Sequence, residues 1–360
     1  MTPSAPVRHW LATLLGTPQT ADDLGEPLSA RHSQQALGVA RRLAIAPSVA
    51  DVLSRLRAWH ALTPDVADEW QSCALETMLH NVILLRDAAT LQQQLEANGI
   101  RCLFIKGTAL LQTTHANPGA RHLDDIDVVV DQPERAARIL IDLGYEQAER
   151  FDGMALDGRT LAEWNRDDHH AERGLISPDG TAVDLHRRIP GLSPRREALV
   201  WENAERHGSA GLWVPSYQDQ FDIVAAHIVV HHLSSPRYWA RHVADIAALR
   251  AASPSLSPST SAGRVSCTVA DAVALRQPRA LSLVFPSTDV AARGDRVLHA
   301  IETAQRVGSD LARNPSRLRH KLLPAPAYMR YRYGNQAAGA QLARLYVRRV
   351  LRGDFFEETA

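Results

Sequence analysis

Three aspartates, Asp124, Asp125 and Asp127, fall within four positions and are followed at once by Val128-Val129-Val130. The valine run asks for a buried strand, and carboxylates carried to its mouth are costly to desolvate unless something compensates them. A metal ion, a basic neighbour or an exposed strand end would each do so. Alternate side chains of a strand share a face, so Asp125 and Asp127 point the same way, with Cα atoms about 7 Å apart. Two carboxylates at that spacing suit hard cations such as magnesium, which prefer oxygen ligands. A third carboxylate must then come from elsewhere. Asp184, between Val183 and Leu185, is the candidate, because a strand aspartate flanked by buried residues is unusual unless paired or ligated. Alone, an Asp-x-Asp pair more often marks a solvated strand end or an ion pair.

Upstream lies Phe104-Ile105-Lys106-Gly107-Thr108. It reads as an apolar strand ending at Gly107, where glycine permits a tight turn and close approach to a ligand. A short helix follows. Its first N–H groups and the Thr108 hydroxyl suit a phosphate, with Lys106 adding positive charge. Arg121 has two readings, as a phosphate ligand or as a neutralising partner for Asp124 or Asp125.

The elements that must position these groups follow from periodicity. Residues 1–98 carry apolar residues at helical spacing, and Asn98-Gly99 is a helix stop. Residues 99–212 hold the strands. Gln132-Pro133 opens a helix that closes at Gly144, and Pro178-Asp179-Gly180 is the turn of a hairpin whose second strand bears Asp184. Residues 213–252 return to helix, 253–263 form a Ser/Pro-rich linker, and 264–360 read as helical. The fold class expected is α+β, a small mixed sheet flanked by helical segments.

The stretch from Leu103 to Val130 resembles the nucleotidyltransferase superfamily of the DNA polymerase β type. It is more closely similar to the bacterial group of uncharacterised nucleotidyltransferases. The pattern shared is an apolar strand, Lys106-Gly107, a short helix, Pro118-Gly119, Arg121, then Asp125-Ile126-Asp127 and three valines. Val183-Asp184-Leu185-His186 is similar to the group's third-carboxylate strand. His227 to Leu233 and Tyr238 to Leu249 are similar to its helical region of paired histidines and an aspartate. The broader superfamily carries Gly-Ser or Gly-Gly where this chain has Gly107-Thr108, with a shorter gap to the first aspartate. Both departures fit the closer group.

The resemblance implies a polymerase β-like core that moves a nucleoside monophosphate from a triphosphate such as ATP to an acceptor hydroxyl, releasing pyrophosphate. Asp125, Asp127 and Asp184 would be catalytic and would hold two magnesium ions, or manganese in their place. Lys106, Gly107, Thr108 and Arg121 would bind the nucleotide, and His186, His231 and Asp245 would line the cleft. Two further readings stand beside this one: a nucleotide-binding regulatory or antitoxin-like module without turnover, and a toxin-like enzyme that nucleotidylates tRNA ends.

Composition narrows the partners. Forty basic residues balance forty acidic ones, for a net charge of zero over 360 residues, which speaks against broad nucleic-acid coating. A small molecule or a peptide is therefore favoured over RNA as acceptor. Three scattered cysteines in no ligand spacing, no signal peptide and no membrane-length apolar run predict a cytoplasmic chain. His227 and His231 share a helix face, which suits zinc with Asp245 or simple packing. His169 and His170 sit beside acids, as a titrating pair or a solvated edge. Arginines and tyrosines interleave between Tyr328 and Arg352, as an RNA-binding surface or an amphipathic helix.

Overall fold

The computed structural model describes residues 3–16, 18–147, 172–189, 192–231 and 236–285. His169, His170 and the segment from Tyr328 to Arg352 lie outside them. The chain is α+β, with a small mixed sheet among helices. It divides into two units with interleaved sequence. Within the described residues one unit takes the chain up to Arg86, Lys106–Leu123 and everything from Tyr217 onward; the other takes Asp87–Ile105 and Asp124–Ser216.

The first unit is helical. Its elements are α1 (Ala5–Leu15), α2 (Ala30–Arg42), α3 (Ala46–Arg55) and the N-terminal part of α4 (Pro64–Ala97). Arg42 and Ala46 are separated by a sharp break in which Ala44 takes a left-handed φ of 54°, so the apolar run from Ala40 to Trp59 makes two helices rather than one. The unit continues with α5 (Lys106–Thr113) and a 3-10 turn at Pro118–Ala120. Its core is aliphatic and aromatic, with Trp10, Leu37, Leu53, Trp70 and Leu110 all sealed from solvent.

The second unit holds the sheet. Its strands are β1 (Cys102–Phe104), β2 (Ile126–Val130), β3 (Glu146–Gln147), β4 (Glu172–Ile176) and β5 (Ala182–His186), in the order β1-β2-β5-β4-β3. Only the central pair, β2 and β5, is parallel. Helix α6 (Pro133–Asp142) follows β2, with proline at its start and Gly144 at φ 90° beyond its end. Asp179-Gly180 turns β4 into β5, with Gly180 at φ 87°. Helix α7 (Pro194–Glu202), capped by the Ser193 hydroxyl, precedes a small hairpin of β6 (Glu205–His207) and β7 (Leu212–Val214).

Every β2 side chain is buried, and β5 is buried from Val183 onward. Strands enclosed on both faces read as continuous apolar runs, which explains the valines. It also sharpens the question of why Asp127 and Asp184 stand among them.

Beyond the sheet, the first unit resumes with α8 (Tyr217–His231), α9 (Pro236–Ala252), α10 (Ser261–Ala274) and α11 (Pro278–Val284). No helix among the described residues is long and apolar enough to cross a membrane.

Candidate functional site

Register settles how the acidic residues meet. In the parallel pair Asp127 stands directly opposite Asp184, and Val129 opposite His186. Cross-strand partners lie about 4.8 Å apart and project to the same face. The alternation of β5 puts Asp184 and His186 on that face together. Asp127 and Asp184 are each 7% exposed and His186 1%. The Nε2 atom of His186 lies 2.8 Å from Oδ1 of Asp127, a diagonal bond across the two strands. Like charges placed opposite each other repel, and burial strengthens the repulsion. The arrangement is therefore costly unless cationic charge or hydrogen bonds answer it.

The neighbouring strands shape the surroundings. Gly174 of β4 is the residue opposite Asp184, so the paired position on that flank carries no side chain of its own. On the other flank the Ile105 N–H donates to the Asp127 carbonyl, and Ile105 and Leu103 close that side with apolar surface. Asp125 precedes β2 in a bend and is half-buried. Asp124, one residue earlier, is exposed.

The donor set is hard oxygen, as magnesium or manganese requires. Among the described residues no three His, Cys, Asp or Glu side chains are gathered into a ready-made ion site. The two opposed carboxylates of Asp127 and Asp184 are what the sheet itself supplies. The fit to a divalent cation rests on that pair, because two buried like charges in register are what such an ion neutralises.

The first unit gathers a second constellation. Arg121 binds Asp245 of α9 through both Nε, at 2.7 Å, and Nη2, at 3.1 Å, while Nη1 donates to the His122 carbonyl. The pair is largely buried, at 12% and 8% side-chain exposure. Burial raises the Asp245 carboxyl, but the charge and hydrogen bonds of Arg121 outweigh it and hold the group below its ordinary value. Gly107 explains itself here. A Cβ at that position would collide with the Arg121 guanidinium and come within 2.6 Å of Leu123, so glycine is needed for close approach. The turn itself falls one residue earlier, at Lys106 with φ 52°. β1 therefore ends at Phe104 and α5 begins at Lys106, which places Gly107 in the first helical turn rather than at a strand end. Thr108 is 1% exposed, and its hydroxyl is buried without a hydrogen-bond partner.

The loop that carries Arg121 toward the acidic strand is clamped by side chains. Asn81 of α4, fully buried, donates to the carbonyls of Pro118, at 2.5 Å, and Arg121, at 2.6 Å. Its Oδ1 accepts the Leu123 N–H at 3.1 Å. His80 contacts the Leu123 carbonyl at 3.0 Å and stacks on His122, and Arg241 donates to the His122 carbonyl. Four residues of the loop, Pro118, Arg121, His122 and Leu123, are thus tied by three side chains of the same unit, Asn81, His80 and Arg241.

His115 and His242 stand close enough to Asp245 to feel its charge. Burial pushes both imidazoles toward neutrality, His242 to about 4. Their Nε2 atoms are buried without partners. His227 lies on α8, half-buried, and His231 ends that helix with its side chain outside the described residues.

The expected site residues thus fall in two groups. Asp125, Asp127, Asp184 and His186 belong to the second unit; Lys106, Gly107, Thr108, Arg121, His231 and Asp245 belong to the first. Asn81, His80, His115, Arg241 and His242 were not predicted from sequence. An asparagine in mid-helix is the one of these with a local signal, since a buried amide there must find partners outside its own helix.

Residues 29–262 match the model of a family described as uncharacterised nucleotidyltransferase. No curated protein matches the chain.

Proposed function

The chain belongs to this uncharacterised nucleotidyltransferase family, and from that premise we propose that it is a magnesium-dependent enzyme acting through Asp127 and Asp184. The reaction joins an acceptor oxygen to the α-phosphorus of a nucleoside triphosphate and breaks the bond to pyrophosphate. The acceptor hydroxyl gives up its proton. The observation that carries the reading is the pair of buried carboxylates facing each other across parallel strands.

Asp127 and Asp184 would hold the cation, with Asp125 adding a carboxylate from the bend ahead of β2. Bound magnesium supplies neutralising charge for the triphosphate and acidifies the acceptor hydroxyl. His186 fixes the rotamer of Asp127 by its bond to Oδ1, a restraint of the kind that orients metal ligands. Lys106, Gly107 and Thr108 are proposed for the nucleotide. Arg121 serves it indirectly, since its guanidinium is engaged by Asp245 and His122.

A small molecule or peptide hydroxyl is the favoured acceptor, supported by the net charge of zero. Free thiols at Cys73, Cys102 and Cys267 support a reducing, cytoplasmic setting. The test is magnesium-dependent pyrophosphate release from each of the four triphosphates over an acceptor panel. Asp184→Asn is expected to lose about 100-fold or more, the scale of a lost metal ligand. Turnover unchanged in that variant contradicts the assignment.

A further inference from the structure

A cavity of about 330 Å³ lies within the second unit, lined among others by Glu96, Ile100, Arg101, Cys102, Trp201 and Trp213. It is separate from the carboxylate pair. Cys102 is paired with Val130, whereas the Asp127 level of the sheet is reached at Ile105, three residues or about 10 Å along the strand. By alternation the Cys102 side chain also stands on the opposite face from Asp127 and Asp184.

The cavity is a built aromatic site. The Arg101 guanidinium lies 5.2 Å from the Trp201 ring, and that of Arg206 lies 5.0 Å from Trp213. Both arginines are themselves anchored. Asp131 takes the backbone N–H of Arg101 and its Nε, and Glu96 Oε1 takes Nη2 of Arg206 at 2.9 Å. The Trp213 indole N–H donates to the same Oε1 at 3.0 Å. Trp213 is therefore held before any ligand arrives, which lowers the ordering cost of binding, and Trp201 meets Arg101, whose side chain is 70% exposed. Glu96 lines the cavity and uses Oε1 for both bonds, which leaves Oε2 to accept a further donor. Ile100 and the Cys102 thiol, which burial pushes up to about 12, give an apolar, uncharged floor.

We propose that this cavity is a second binding site, for a nucleobase that carries an exocyclic amine, stacked on Trp201 and Trp213 with the amine donating to Glu96. Flat rings stack on aromatic and guanidinium planes, and a carboxylate selects amine donors over carbonyl edges. The volume lies at the lower end of the range for small-ligand sites, which suits a base or nucleoside more than a larger ligand. The site goes beyond the reaction proposed above and does not depend on it.

The test uses the full chain without magnesium and two nucleosides, adenosine and uridine, which lack the phosphates that the carboxylate site would require. Calorimetry is expected to show saturable adenosine binding, tighter than uridine. Trp201→Ala should weaken adenosine by about tenfold or more, within the range of one lost stacking contact. Trp201→Phe, which keeps a ring, should stay within about threefold of the parent on the same scale, and Asp184→Asn should leave binding unchanged. Thermal melts of the variants confirm that the fold is retained. Absence of saturable adenosine binding, indifference to Trp201→Ala, uridine binding as tightly as adenosine, or loss in Asp184→Asn each overturns the proposal.

Discussion

Asn81→Ala removes the side chain that ties the loop ahead of the acidic strand, and its cost can be built from the bonds. The Leu123 N–H is a buried donor; left unmade, it costs about 1–3 kcal/mol. The carbonyls of Pro118 and Arg121 are only partly buried, so water entering the vacated volume would recover much of their loss, leaving about 0.5–1 kcal/mol each. The sum is about 3 kcal/mol. Urea unfolding followed by circular dichroism should show that loss as a lower midpoint at an unchanged slope. Amide exchange gives the sharper reading, because among the described residues the Leu123 N–H bonds Asn81 Oδ1 alone. Its protection should fall on the order of 100-fold while the amides of α1 and α2 follow only the global change. Asn81→Asp should be no better at neutral pH, since a carboxylate would accept from Leu123 but face two carbonyls. A loss under about 1 kcal/mol with Leu123 still protected would refute the reasoning.

Further expectations follow from the same unit. Asp245→Asn leaves the Arg121 guanidinium buried beside a neutral group and should cost about 3–5 kcal/mol in urea unfolding; a double variant with Arg121→Met that recovers much of it is the expected cycle, and strict additivity of the two losses argues against a coupled pair. His242 is depressed to about 4 by burial, so the unfolded chain binds the extra proton first. The stability it contributes is complete above the ordinary value of about 6.5 and is lost as pH falls toward 4, about 2 kcal/mol between pH 7 and pH 5. His242→Phe should flatten that slope, and an unchanged slope contradicts the burial argument. Gly107→Ala should lower the melting temperature, because the Arg121 group it meets is fixed by Asp245 and cannot swing away; a neutral outcome would show that contact to be loose.

Much of the sheet was legible because its signals are local. The valines after Asp127 demanded burial, and Pro178-Asp179-Gly180 demanded a turn. The flanks of Asp184 placed it in a strand, although only the pairing set it against Asp127. Asn98-Gly99 ended α4 as glycine at φ 68° permits. What the sequence could not give is the long-range pairing of polar groups. Arg121 finds Asp245 across 124 positions, and nothing near either residue announces the other. Gly107 was read as a tight turn at a strand end because glycine serves turns and close packing alike, and only the position of Arg121 distinguishes the two. The break at Ala44 was hidden because alanine carries no turn signal. The small hairpin of β6 and β7 likewise went unread, its strands being only three residues each.

The most direct test of the central claim is manganese electron paramagnetic resonance on the full chain with a non-hydrolysable triphosphate, comparing the parent with Asp127→Asn and Asp184→Asn. The account predicts a stoichiometric bound-manganese signal, displaced by magnesium, that weakens by about tenfold to 100-fold or more in either variant. Equal manganese binding in all three proteins would contradict it.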